Sequence, residues 1–260
     1  MVPVDKKHPP YVGVTGFMNP REVGRVYRAI QPDCPAKLMV GVLLSDKTLR
    51  GELNSHPSSF PRREDIANIF QPSGTQPLAL NLLHYNTHDT SALYPQLLKA
   101  MQYGGPNCHG FQLNVAWPDR EAIRALRMVY PGIVIVLQIG KQAFDMVHND
   151  VARLAQRLSI YYKDIIDYVL FDMSGGIGVP LNLELCRQYL EYLTRLNMHE
   201  YFCLGVAGGL SANSVSDVGV LFEDYPYLCV DAQGKLRDPE GNLNVCTAHS
   251  FVQLASRWYG

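Results

Sequence analysis

The sequence predicts a single (β/α)8 barrel, the TIM-barrel class, as one domain over residues 1–260. Three observations point there. Short apolar runs alternate with longer helical patterns along the whole chain, and eight such pairs can be counted. The runs lack polar alternation, which is how strands buried on both faces read. The length of 260 residues also suits one barrel, a fold that typically takes about 250. An open sheet of eight strands between two helix layers would give a similar pattern. The absence of a Pro/Ser-rich linker or charge run between the units favours the closed form.

Strands are predicted at 11–15, 38–44, 77–83, 110–115, 133–139, 168–172, 201–207 and 227–231, all rich in Val, Ile, Leu, Phe and Tyr. The first helix is announced by Asn19 as N-cap and Pro20 at its first position, with Val23, Val26, Tyr27 and Ile30 on one face. Helices at 65–70 and 91–103 follow. Pro118 opens the fourth, turning Ile123, Leu126 and Val129 inward. Val151, Leu154, Leu158 and Tyr161 share a face in 150–162. Patterns at 181–196, 211–222 and 247–259 complete the set. Residues 45–64 read as a longer polar loop after the second strand, placed to act as a lid over the barrel mouth.

Composition excludes several classes. There are 23 Lys+Arg against 24 Asp+Glu, so no electrostatic pull toward nucleic acid or an acidic membrane is expected. No apolar run reaches the roughly 20 residues of a membrane helix. The opening MVPVDKKHPP has no apolar stretch behind its lysines and does not read as a secretory signal. Cys34, Cys108, Cys186, Cys203, Cys229 and Cys246 are scattered without a CxxC, which predicts buried reduced thiols of a cytoplasmic protein. His84, His88 and Asp89 are spaced for a helical metal site but fall in a loop leaving a strand, so no metal and no cofactor is expected. Tyr161, Tyr162, Tyr189, Tyr192 and Tyr201 are expected to pack between helices or to form a homo-oligomer interface.

In a parallel barrel the chemistry sits where strands end and loops begin. Thr15–Gly16, Ser45–Asp46 with Lys47 and Arg50, His84, Asn114, Gln138, Asp172, Gly208–Gly209 and Asp231 occupy those positions. Taken singly, each could equally satisfy a loop or a cap. Two glycine-rich segments, FDMSGGIGVPLN and GVAGGLSANSV, follow consecutive strands. Glycine allows close backbone approach, and exposed N–H groups there can cradle an anion. In the second segment, Ser211 is the expected N-cap of a helix whose start would favour phosphate. A phosphorylated small-molecule ligand is the reading these corners support; tight strand-to-helix turns are the alternative.

The same segments, in order, resemble the phosphoribosylanthranilate isomerase family nearly end to end. VGVTGFMNPREV is similar to the family's first strand and helix start, and VGVLLSDKTLRG to its second strand and arginine loop. GFQLN resembles a VQLHG-type fourth strand. VLFDMSGGIGVPLN resembles the sixth-strand aspartate with its GG loop, and CLGVAGGLSANSV an LAGGLNPENV-type seventh strand. LCVDAQGKLRD sits where the family has VDVSSGVE. The resemblance implies an Amadori rearrangement, in which a general acid opens the furanose ring and a general base removes the C2′ proton. It places the acid at Asp172, substrate contacts at Arg50, Gln112 and Asp231, and phosphate contacts at Gly175, Gly176, Gly178, Gly208 and Gly209. Arg50 would hold a carboxylate through its two-pronged guanidinium.

The family's basic cysteine is replaced by Thr15, a far weaker base without an activating neighbour. Nothing beside it in sequence supplies one; His84 and Asp46 are the expected spatial candidates. The family histidine of the fourth strand is Asn114, the sixth-strand loop lacks its threonine and lysine, and Ala232 and Gln233 replace the last serines. The chain therefore reads as an isomerase-like binding scaffold with an altered catalytic pair. Two alternatives stand beside that: a catalytically impaired phosphate-ligand-binding homologue, and a lyase or condensing enzyme on another phosphorylated substrate.

Overall fold

The computed structural model describes residues 8–54, 56–172, 174 and 181–259. Its eight parallel strands pair in chain order, and the last pairs back onto the first to close a (β/α)8 barrel. The strands are β1 Tyr11–Thr15, β2 Lys37–Ser45, β3 Ala79–Asn86, β4 Gly110–Leu113, β5 Val134–Gly140, β6 Tyr168–Asp172, β7 Cys203–Ala207 and β8 Cys229–Ala232. Around them lie α1 Pro20–Tyr27, α2 Asp46–Arg50, α3 Ile66–Ile69, α4 Leu93–Gly104, α5 Arg120–Val129, α6 Lys141–Met146, α7 Val151–Tyr161, α8 Leu183–Arg195, α9 Gly219–Phe222 and α10 Val245–Ala255.

Local chemistry explains most of these boundaries. The Asn19 side chain accepts from the Glu22 N–H at 3.1 Å, and Pro20 occupies the first turn of α1. Asp119, Asp150, Asn182 and Asn244 cap α5, α7, α8 and α10 in the same way.

Three expectations are corrected. Residues 211–222 are not one helix. Ser211 and Ser214 bond to each other, and the Ser214 hydroxyl donates to the Gly209 carbonyl, tying the chain into turns before a short 3-10 segment and α9. Small hydroxyl side chains compete for the backbone in this way. The sequence places one helix after β5, at 150–162, and residues 141–146 form a further one, α6. Residues 45–64 carry α2 and two 3-10 turns instead of being loop throughout.

The strands lack polar alternation because both faces are buried. One face of each packs under the helices. The other fills the barrel with Tyr11, Met39, Leu80, Leu82, Val136, Tyr168, Leu170, Cys203, Ala207 and Cys229. Each such side chain contributes on the order of 1.5–3 kcal/mol if fully buried. Outside the barrel, Tyr189 of α8 packs against Phe144 and Phe171. Tyr161 and Tyr201 are exposed. Five of the cysteines are buried and Cys246 is exposed. Among the described residues no helix is long and apolar enough to cross a membrane.

Moving two residues along each strand toward its C-terminal end turns the inward stripe polar. Val136 gives way to Gln138, Leu170 to Asp172 and Cys229 to Asp231, while Thr15 caps the stripe on β1. Room for these groups comes from the neighbouring strands. A Cβ on Gly13 would lie 2.6 Å from the Asp231 Oδ1 atom and 2.8 Å from Met39. The carboxylate therefore occupies space that any other residue at position 13 would fill.

Candidate functional site

Four polar side chains from four strands join inside the barrel mouth. The Gln112 side-chain N–H2 donates to Asp231 Oδ2 at 2.9 Å and to Gln138 Oε1 at 3.1 Å. Gln138 in turn donates from Nε2 to Asp172 Oδ2 at 2.9 Å. A bridge of two amides thus spans from the β8 carboxyl to the β6 carboxyl. Both glutamines are buried, so this bridge holds its members in fixed orientation.

The two carboxyls differ. Asp172 accepts from the Ser174 N–H at 3.0 Å and the Ser174 hydroxyl at 2.6 Å, besides Gln138. Asp231 is more enclosed and accepts one short bond, from Gln112. Burial pushes the Asp231 carboxyl up to about 7, helped by the nearby Asp172 charge and opposed by the Gln112 hydrogen bond. A carboxyl there can take or give a proton near neutral pH.

Thr15 faces Asp231 Oδ1 at 3.4 Å, a long contact for a hydroxyl. Its neighbour is therefore Asp231 and neither of the two expected candidates. Asp46 lies on α2 in an ion pair with Arg50, and His84 sits on β3 with no recorded contact to Thr15. Gly208 and Gly209, just past β7, have φ of +119° and +61°. A Cβ on Gly208 would lie 3.1 Å from Ser174 Cβ and 3.5 Å from Asp172 Oδ1. The corner and the β6 carboxylate share one rim.

Gly208, Gly209, Asp172, Gln112 and Asp231 line a small recess of about 30 Å³. It adjoins a wider cavity of about 380 Å³ at the mouth, which Asp172, Gln138 and His84 also line. His56, Ser59 and Phe60, from the long segment after β2, form part of its wall.

Arg50 is not brought to this site. Its Nη1 bonds Asp46 at 2.8 Å and its Nε bonds Glu52 at 2.7 Å, half exposed on α2 and outside both cavities. Gly175, Gly176 and Gly178 lie outside the described residues. His84 and His88 do not converge: the first is inside the barrel and the second is exposed. Among the described residues no group of three or more His, Cys, Asp or Glu is arranged to hold a metal. The sequence placed Gln138 and His84 at strand ends, with no role for Gln138 and with His84 expected only as a partner of Thr15. Their inward register, two residues beyond Val136 and Leu82, was the available signal.

No protein-family model matches the chain, and no curated protein matches it by sequence. Solved structures do share its fold. A phosphoribosyl anthranilate isomerase from Thermus thermophilus superposes with a TM-score of 0.62 at 13% identity, over 95% of this chain and 99% of that one. A phosphoribosyl anthranilate isomerase in complex with reduced 1-(o-carboxyphenylamino)-1-deoxyribulose 5-phosphate gives 0.61 at 15% identity, with the same coverage. A 2-keto-3-deoxy-6-phospho-gluconate aldolase from Zymomonas mobilis gives 0.51 at 13%, over 96% and 93%. At such identities the likeness is one of fold.

Proposed function

We propose that this barrel binds a phosphorylated sugar or phosphoribosyl amine and catalyses an Amadori-type aldose–ketose isomerisation. One observation carries the reading: the Asp172 and Asp231 carboxyls, joined through Gln138 and Gln112, face the same mouth as the Gly208–Gly209 corner. In this reading the backbone at the corner receives the phosphate. Asp172 gives its proton to the furanose ring oxygen as the C1–O bond breaks and the lone pair of the C1 nitrogen or hydroxyl oxygen forms a protonated C1=N or C1=O bond. The C2 proton passes to the Asp231 carboxylate, and its electron pair forms the C1=C2 bond as the π pair returns to that nitrogen or oxygen, giving an enolamine or enediol. Protonation at C1 and loss of the O2–H proton, as C2=O forms, then yield the ketose.

Asp231 thus takes the basic task that a threonine hydroxyl performs poorly, and Thr15 serves as its long-range hydrogen-bond donor. A base titrating near 7 is matched to that task.

The test is solvent exchange. Phosphoribosylanthranilate and ribose 5-phosphate are incubated with the protein in D2O and followed by NMR. The reading expects deuterium at C1 of the ketose, with Asp231→Asn and Asp172→Asn each slowing its appearance by about 10²–10⁴-fold. Absence of deuterium from both substrates at enzyme concentrations near those of substrate would overturn it. The Thr15 hydroxyl, in place of a thiol, favours one second reading, a phosphate-ligand-binding homologue. Stabilisation by ribose 5-phosphate without exchange would select that reading.

A further inference from the structure

The walls of the mouth carry information about the part of the ligand that lies beyond any phosphate. Five side-chain amides line the 380 Å³ cavity: Asn86, Asn114, Gln138, Gln142 and Gln233. Among its described lining residues the only permanent cation is Lys141, whose ammonium is already bonded to Asp145 at 2.8 Å. The arginine that would clamp a carboxylate is held outside by Asp46 and Glu52. A planar aryl carboxylate would find no free guanidinium in this wall.

Two buried polar atoms beside this space lack a partner among the described residues. His84 is 5% exposed, lines both the cavity and the recess, and its Nδ1 has no hydrogen-bond partner among the described residues. Gln112 is 1% exposed, and its Oε1 is likewise without one. The two residues are register neighbours on β3 and β4. Leaving a buried polar atom unmatched is costly, so a protein that retains two side by side gains by matching them to a ligand. Burial lowers the His84 pKa to about 4, so the imidazole is neutral near pH 7 and suits a hydroxyl better than an anion.

We infer that His84 and Gln112 form a subsite for the hydroxyls of an uncharged polyol portion of the ligand, so that the substrate is a hydroxyl-rich sugar phosphate and not an aryl-carboxylate conjugate. This rests on the proposed phosphosugar reading for the phosphate end alone. A hydroxyl bridging the two residues donates to Gln112 Oε1 and accepts from His84 Nδ1–H, which places the proton of the neutral imidazole on Nδ1. A site built around such a bond discriminates sharply against ligands that lack it.

The experiment is titration calorimetry with three probes: inorganic phosphate, ribitol 5-phosphate, and reduced 1-(o-carboxyphenylamino)-1-deoxyribulose 5-phosphate. Ribitol 5-phosphate is expected to bind about tenfold or more tightly than inorganic phosphate. His84→Leu should erase that advantage and leave inorganic phosphate unchanged. His84→Asn, which keeps a polar atom near Nδ1, should retain most of it. The aryl conjugate should bind no better than ribitol 5-phosphate. Circular dichroism and melting of both variants monitor folding; removal of an unmatched polar atom predicts a Tm equal to or above that of the parent.

The inference is overturned if the aryl conjugate binds about tenfold tighter than ribitol 5-phosphate, or if His84→Leu leaves the ribitol 5-phosphate advantage intact. If inorganic phosphate does not bind, the phosphate reading fails separately. Ribitol alone at tens of millimolar (roughly the range for a weak polyol site) then decides. A heat signal lost in His84→Leu supports the hydroxyl subsite, and no signal in the parent overturns it.

Discussion

Asp167 and Asp231 are carboxyls equally withdrawn from water, 1% and 4% exposed, at opposite ends of one barrel. Asp167 stands just before β6, at the N-terminal rim. It receives the Arg127 guanidinium, the Ile135 N–H at 2.8 Å and His8 Nε2 at 2.9 Å. Burial works to raise its pKa, but the His8 bond, the Arg127 charge and the Ile135 N–H outweigh it and hold the carboxyl below its ordinary value. Asp231 receives an amide N–H at 2.9 Å and a distant hydroxyl, and its pKa rises. Neither has appreciable exposed surface, though Asp231 lies deeper in the protein. The counter-charge decides whether a buried aspartate clamps the fold or stays ready to exchange a proton.

The largest effect is expected at the clamp. Asp167→Ala strands Arg127 and His8 and should lower unfolding free energy by about 3–5 kcal/mol in urea titrations at pH 7. An unchanged midpoint would remove the contrast. Because the folded pKa of Asp167 is lowered, its contribution is present above about pH 4 and is lost as pH falls through the folded value.

Asp231 carries the opposite sign. Its folded pKa lies above the unfolded one, so the native state holds more protons between about pH 4 and 7 and stability falls as pH rises across that window. Asp231→Asn should abolish that slope and stabilise the protein by roughly 2 kcal/mol or more at pH 8. Urea midpoints at pH 5 and pH 8 read both, and loss of stability in the variant at pH 8 would break the comparison.

Gly13→Ala should be milder. The new methyl meets the Asp231 carboxylate and Met39, costing about 1–3 kcal/mol by displacement of packed groups. Combined with Asp231→Ala the cost should shrink, because the clashing oxygens are gone. The smallest change is predicted at Arg50. Its pair with Glu52 is exposed and its pair with the buried Asp46 is half so, so Arg50→Ala should move Tm by no more than about 2–4 °C and ribitol 5-phosphate affinity by about twofold or less.

Much of this architecture was legible in the chain. Runs such as YVGVT and YVLFD read as strands because apolar residues occupy both faces up to the terminal Thr15 and Asp172, and their predicted and observed bounds coincide. The placement of Thr15, Asp172 and Asp231 at strand ends followed from the same register, while Gln112 entered through the family resemblance alone. The glycine corner after β7 was visible, but the helix expected at Ser211 was not formed, since hydroxyls at 211 and 214 took the backbone bonds first. The helix α6 is only six residues long and ends before His148 and Asn149 at φ of +57° and +55°, too short to show a period. The Gln112–Gln138 bridge joins four strands, so no local pattern could announce it. The outward turn of Arg50 could have been read from the i, i+4 spacing to Asp46 and from Glu52 just beyond.

The central claim is that the mouth holds a carboxyl poised to exchange protons near neutral pH, and its most direct measure is the titration of Asp231 itself. With carboxyl-carbon-labelled aspartate, and Asp231→Asn to assign the signal, NMR between pH 3 and 9 follows its protonation. The account predicts a midpoint at about 7. A midpoint near 4, the ordinary aspartate value of about 3.9, would contradict it.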